Sequence, residues 1–253
     1  MFKQIILLLI LFIGFSAKAQ DVARFEDATK AYNKGDYEKA IEDYQKILEN
    51  GQHSAELYYN LGNSYYKLNQ IAPSIYYYEK ALLLKPHDAE IQNNLRYAQN
   101  MTLDAIDEIP ETGISKIKNN IVGLFSFDEW ARLAVVFVIL FVLCYIAFYY
   151  FRYSSRKRIA FVASIISLLF AIVSVIFAFF QKKEFDADQP AIVFSSEVAI
   201  RSEPNERSQE IFKLHEGAKV NVLESLNNFD KIRLSDGKTG WLPKESIKLV
   251  KDF

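Results

Sequence analysis

Residues 56–68 read ELYYNLGNSYYKL, and the same slots recur 34 positions away. Ala28 corresponds to Gly62, Tyr32 to Tyr66, Ala40 to Ser74, Tyr44 to Tyr78 and Leu48 to Leu82. A third, partial copy sets Asn94 and Leu95 on Asn60 and Leu61. Self-similarity at one fixed period of this length marks stacked supersecondary units. Within the quoted stretch Tyr58, Leu61 and Tyr65 share one helix face, and Tyr59, Asn63 and Tyr66 share another. Small residues at Ala28, Ala40, Gly62, Ser74 and Ala81 let paired helices approach closely. Gly35 and Asn69 fall at turns, where left-handed backbone costs them little. Pro73 is expected in the first turn of a helix, where it is tolerated, and Pro86 ends the second copy. The third copy carries Arg96 in the small slot, so 88–100 is expected to be a capping helix.

Together with GDYEKAI at 35–41 and YYEKAL at 77–82, this pattern resembles the tetratricopeptide repeat. The resemblance implies an α-helical repeat domain over 20–100, two repeats and a cap, with a groove that takes an extended peptide. Its lining would be Tyr59, Asn63 and Tyr66, joined by Tyr32, Asn33, Lys67, Asn93 and Tyr97 at the equivalent repeat positions. Amphipathic Tyr rings beside amides suit a peptide backbone. The alternative is a solvated face of consensus residues. Lys67 is the one basic residue on that face, which argues against a clamp for a terminal carboxylate. Residues 21–110 hold fifteen acidic and nine basic residues, net −6, which favours a neutral or basic partner segment. Repeats of this kind need about three units to bury a core. Support is therefore expected from 101–125, from a membrane contact or from a partner.

Three apolar blocks follow a different logic. The first, 5–15, comes after Lys3 and before Ala17-Lys18-Ala19. It is too short to span a bilayer, which takes about 20 residues, and reads as a signal peptide over 1–19 cut before Gln20. An uncleaved anchor is the other reading. Blocks 133–151 and 159–180 contain no charge, and each is long enough to span. Neither has the continuous polar stripe of a soluble amphipathic helix. The expected transmembrane helices are 129–151 and 159–180, joined by a loop at 152–158 holding Arg152, Arg156, Lys157 and Arg158. Short basic loops stay cytoplasmic. Both outer segments should then lie on the extracytoplasmic, periplasmic side of the inner membrane, which agrees with an export signal.

The connector, 101–128, is acidic at Asp104, Asp107, Glu108 and Glu111. Ile114, Ile117, Ile121, Leu124 and Phe125 then recur at helical spacing, which predicts an amphipathic helix lying in the interface or packed on the repeats. After a linker at 181–190, period-two alternation appears at Val220/Val222 and Ile232/Leu234. Turn signals at Pro204, Gly217, Asn227-Asn228 and Asp236-Gly237 separate short strands, as in a small β-barrel. The run DGKTGWL at 236–242, after VAIRSEP at 198–204, resembles the bacterial SH3-like domain over 191–253. Relatives of that kind bind cell-wall peptides or proteins, which makes Trp241 a ligand candidate. The alternative for Trp241 is a purely structural cap on the barrel core.

The 253 residues carry a net charge of −1, with 51% apolar and 24% charged side chains. Balanced charge argues against nucleic acid as a partner. One Cys and three scattered His residues offer no disulfide framework and no metal spacing. No catalytic triad or phosphate loop stands out, so no enzyme activity and no cofactor is expected. The fold class is an α-helical tetratricopeptide repeat domain, a two-helix transmembrane hairpin and a small all-β SH3-like barrel. That order resembles the BatE family of the Bacteroides aerotolerance operon across the whole chain. The resemblance implies a non-enzymatic scaffold in a stress or aerotolerance complex, bound to the lipid bilayer and to other Bat membrane proteins, some with von Willebrand A domains. The rival expectation is a sensor or anchor that binds peptidoglycan through the barrel. A regulator of a cytoplasmic target is a third, with only 152–158 on that side.

Overall fold

Caps and turns set where each helix begins. In the computed structural model, which describes residues 20–104, 106, 113 and 121–252, helix α1 covers 20–33. It is followed by α2 (Tyr37–Glu49), α3 (Ala55–Lys67), α4 (Ile71–Leu84) and α5 (Ala89–Gln99). The side chains of Asp36, Ser54 and Asp88 accept hydrogen bonds from the first-turn amides of α2, α3 and α5. Gly35 and Asn69 turn the chain between paired helices with φ of 84° and 58°. The expected signal segment, 1–19, lies outside the described residues, as do Asp107, Glu108, Glu111, Ile114 and Ile117 of the connector. Ile121, Leu124 and Phe125 are described and exposed.

Small residues bring the helices together. A side chain at Gly62 would place its Cβ 2.6 Å from the Tyr78 ring, and Ser74 donates to the Gly62 carbonyl at 2.9 Å. Ala28, Ala40, Tyr44, Leu57 and Leu61 close the first half of the core. Tyr58, Ile75, Tyr78, Ala81, Ile91 and Leu95 close the second.

Seven antiparallel strands follow: β1 (Pro190–Val193), β2 (Glu197–Arg201), β3 (Glu210–His215), β4 (Lys219–Leu226), β5 (Phe229–Arg233), β6 (Thr239–Pro243) and β7 (Ile247–Leu249). Their order is β3-β2-β6-β5-β4-β1-β7. Leu214 from one edge strand and Ile247 from the other share a core with Ile200, Val220, Ile232 and Leu242, so the sheet curls around a single interior. Gly217, Asn227 and Gly237 make the turns with positive φ. Gly240 is obligatory for close strand approach, because a Cβ there would collide with the Ile200 side chain.

The chain divides into two compact units, Met1–Glu108 with Gln189–Phe253, and Ile109–Asp188. The repeats and the sheet therefore belong to one unit, although 80 residues separate them in sequence. Ile192 and Val250, both fully buried, join the core formed by Ile71, Ile75 and Tyr76 of α4. Phe194 meets Tyr76 edge-on at 5.6 Å. Lys219 pairs with the buried Glu79 at 2.8 Å. Gly217 fits under Ile75 and Thr102, leaving no space for a Cβ. Asp104 accepts from the His215 backbone amide at 2.6 Å and pairs with its Nδ1 at 2.9 Å. The support that two repeats and a cap lack on their own comes from the C-terminal sheet.

The second unit contains α6 (Phe127–Tyr150) and α7 (Ser154–Ala187), both long and apolar enough to cross a membrane. Ser126 and Glu129 form a capping box at the start of α6. Along α7 the buried residues are Ala160, Ser164, Ser167, Ala171 and Ser174, a seam of small side chains at alternating spacings of four and three. Such seams let helices approach closely where lipid supplies no hydrophobic drive. The outward residues are large and apolar, as at Leu143, Ile159 and Phe179. The connection is shorter than expected, because α7 begins at Ser154 and takes up most of the basic segment. Its other end runs to Ala187, so β1 follows after two residues rather than a ten-residue linker.

The Asp104–His215 contact gives the repeat–sheet junction a pH dependence. The hydrogen bond to Asp104 raises the His215 pKa, and Glu197 adds to this while Lys213 and partial burial oppose it. A raised folded value means that the stabilisation is complete below the ordinary His value of about 6.5 and disappears as pH climbs through the folded one. Replacing His215 with Gln should therefore lower the melting temperature more at pH 6 than at pH 8.5, by thermal unfolding of the full chain in detergent.

Candidate functional site

Four helices contribute to one cleft on the repeats. Tyr32 comes from α1, Tyr59, Asn63, Tyr66 and Lys67 from α3, Tyr78 from α4, and Glu90, Asn94 and Tyr97 from α5, around a volume of about 360 Å³. Six of the residues expected from the repeat pattern are thus brought together: Tyr32, Tyr59, Asn63, Tyr66, Lys67 and Tyr97.

Asn33 and Asn93 are both exposed and lie outside the lining of this cleft. Asn33 is the last residue of α1, rotated one position past Tyr32 toward solvent. On α5, the cap, only one flank faces a preceding helix. That flank carries Glu90, Asn94 and Tyr97, at spacings of four and three, whereas exact repeat arithmetic selects Asn93. The signal for Asn94 was present in the helical period of α5 itself. Tyr78 occupies a slot that reads as core, and its ring does pack there while its hydroxyl reaches the cleft.

The floor of the cleft is a connected polar network. Tyr59 Oη donates to Glu90 Oε1 at 2.6 Å and accepts from Asn94 Nδ2 at 2.8 Å. Asn94 Nδ2 also donates to Asn63 Oδ1 at 3.0 Å, and Tyr78 Oη donates to the same oxygen at 2.6 Å. Both amide protons of Asn94 and both lone pairs of Asn63 Oδ1 are used in this way. Burial and the hydrogen bond to the Glu90 carboxylate push the Tyr59 hydroxyl up to about 12, and burial raises Tyr78 as well. Both phenols are therefore neutral donors at ordinary pH. What the cleft offers outward is ring surface, one cation and one carboxylate: Tyr97 is 63% exposed, Tyr32 and Tyr66 are half-buried, and Lys67 and Glu90 are exposed. Such a surface can hold an extended, uncharged or mixed peptide by contact area, with a fixed polar floor that sets shape.

Trp241 lies on β6, opposite Arg201 and Lys231, and is 7% exposed. The Lys231 ammonium sits 5.6 Å from its ring centre. The ring is thus part of the barrel wall beneath a cation. Among the described residues, no group of His, Cys, Asp and Glu is arranged to hold a metal ion.

Comparison with known families agrees with this architecture. A bacterial SH3 domain model matches residues 196–248, a tetratricopeptide repeat model residues 55–88 and a further TPR repeat model residues 28–69. No curated protein matches the chain. The protein combines tetratricopeptide repeats, an apolar helical hairpin and a bacterial SH3 domain, modules typical of binding rather than catalysis.

The polar floor can be tested without removing the ring. Tyr59→Phe should lower stability by about 0.5–1.5 kcal/mol, the net worth of an ordinary hydrogen bond, in thermal or denaturant unfolding. A loss within error would mean that Glu90 and Asn94 find water at no cost.

Proposed function

We propose that this protein is a membrane-tethered adaptor whose repeats hold a peptide segment of a partner protein, while its SH3 domain braces the repeats and adds a second contact. The observation that carries this reading is the open, Tyr-lined cleft on a repeat domain whose opposite side is covered by the sheet. The hairpin α6–α7 crosses the inner membrane, and the segment before Gln20 is an export signal. Chain connectivity supports two crossings, and the charge of the turn supports the sidedness. A hairpin of two spans returns the chain to the face it left, in keeping with a single folded unit made of Met1–Glu108 and Gln189–Phe253. The basic residues Arg152, Arg156, Lys157 and Arg158 at its turn then remain cytoplasmic, and the folded unit is periplasmic. Together with the likeness to the BatE family, this favours other Bat-type membrane proteins as partners. Two weak contacts on one tethered body reinforce each other through effective concentration.

The match to the bacterial SH3 domain favours one second reading, an anchor on peptidoglycan. Ile192, Phe194 and Val250 pack on the repeats, so an excised sheet would expose them, and the whole chain is the right probe.

Tyr66→Ala with Tyr97→Ala removes exposed ring surface and leaves the polar floor intact. Recovery of partner membrane proteins in mild-detergent purification should fall at least about tenfold, the equivalent of 1.4 kcal/mol. The same variant should sediment with purified sacculi no less than wild type. Equal partner recovery, with strong sacculus binding by both forms, would instead favour the anchor.

Sidedness has its own test. In a Cys144→Ala background, a membrane-impermeant thiol reagent applied to intact spheroplasts should label Glu206→Cys and spare Ser155→Cys. The reverse pattern would invert the topology.

A further inference from the structure

The side of α4 that faces away from the cleft contains a buried cation. Lys80 is 6% exposed, although its neighbours in the repeat core are aromatic and aliphatic. Its ammonium lies 5.1 Å from the ring centres of both Tyr58 and Tyr76, and it donates to the Tyr76 hydroxyl at 3.3 Å. An ammonium taken out of water in this way needs a counter-charge. The counter-charge comes from 172 residues away: Lys80 pairs with Asp252 Oδ1, and Tyr76 Oη donates to Asp252 Oδ2 at 2.6 Å. Both carboxylate oxygens are thereby held, one by the cation and one by a phenol.

We propose that Lys80, Tyr76 and Tyr58 form a carboxylate-binding site on the repeat domain, filled in cis by Asp252, and that this latch keeps the SH3 domain docked on α4. The placement of Asp252 explains why one side chain has this leverage. It lies three residues past the end of β7, whose neighbour β1 supplies Ile192 to the shared core, and the Val250 amide donates to the Pro190 carbonyl at 2.8 Å. Pulling Asp252 onto Lys80 therefore draws the β1–β7 edge against Ile71, Ile75 and Tyr76. Asp252 itself is about half exposed, so the latch is accessible at its rim while its cationic half is dry. Although burial opposes it, Lys80 and Tyr76 hold the Asp252 carboxyl below its ordinary value, and burial keeps the Tyr58 and Tyr76 hydroxyls protonated. An open latch would free the position held by the Asp252 carboxylate, beside the Lys80 ammonium and the Tyr76 hydroxyl, for the carboxylate of another segment. This occupant is anionic, whereas the groove on the other side of the repeats suits an uncharged or mixed one.

Hydrogen exchange read by mass spectrometry on the full chain in detergent tests the latch. Asp252→Asn should speed exchange at the β1 and β7 amides at least about tenfold, while α1–α2 and the β4–β5 hairpin keep wild-type rates. Asp252→Glu, which retains the carboxylate, should stay nearer to wild type than to Asp252→Asn. Lys80→Met should match Asp252→Asn, and the double variant should exchange no faster than the faster single one. Unchanged rates in Asp252→Asn, multiplied effects in the double variant, or acceleration throughout the folded unit would each overturn the proposal.

Discussion

Helix α4 is the element on which the rest depends, because it is buried on nearly every side. A helix in a short repeat array normally leaves one face to solvent or to the next repeat. Here Tyr58 of α3 packs along one side, Ile91 and Leu95 of α5 along another, and Ile192, Phe194 and Val250 along a third. Glu79 and Lys80, the charges in its middle, are buried as well, each against a partner from the C-terminal segment. Removing the sheet would expose an apolar face and strand two charges. The repeats and the SH3 domain are thus mutually dependent parts of one folded body.

Much of this architecture can be read directly from residue order. The period of 34 gives the helix pairs, and the capping residues Asp36, Ser54 and Asp88 give their starts. Asp236-Gly237 and Asn227 give the tight turns of the sheet, and the charge-free blocks give the hairpin. The docking is not legible in the same way. Its contacts join residues more than a hundred positions apart, and no local pattern records which apolar face meets which. The hint was the run IAPSIYYYEKALLL, apolar around most of its circumference with Glu79 and Lys80 as its only charges, which implies a helix covered on nearly all sides. Reading that run as ordinary repeat consensus hides the implication.

The cleft shows a related limit. Repeat arithmetic transfers a position from one copy to the next as though each copy had neighbours on both sides. The capping helix has a neighbour on one side only, and the residue that reaches the cleft is the one on the flank turned toward α3, beside the buried stripe of Ile91, Leu95 and Ala98. Asn94 rather than Asn93 follows from that asymmetry. Tyr59 and Asn63 were legible as members of the face, but their polar atoms turn inward to Glu90, Asn94 and Tyr78. A sequence lists donors and acceptors, and only the packed helices show which of them are already used.

The same long-range packing constrains how the chain can meet a membrane. A spanning hairpin has two ends, and in a chain of independent modules each end could carry its own domain without further consequence. In this protein the two flanking segments share a core, with Ile192 and Val250 set among Tyr58, Ile75 and Tyr76. An arrangement that left them on opposite faces would have to break that core and the Lys219–Glu79 and Asp252–Lys80 pairs. The apolar docking contact requires the two flanking segments to share one face, which a hairpin of two spans provides, and the hydrophobic burial behind that contact is independent of the cost of moving the guanidinium and ammonium groups of the hairpin turn across lipid.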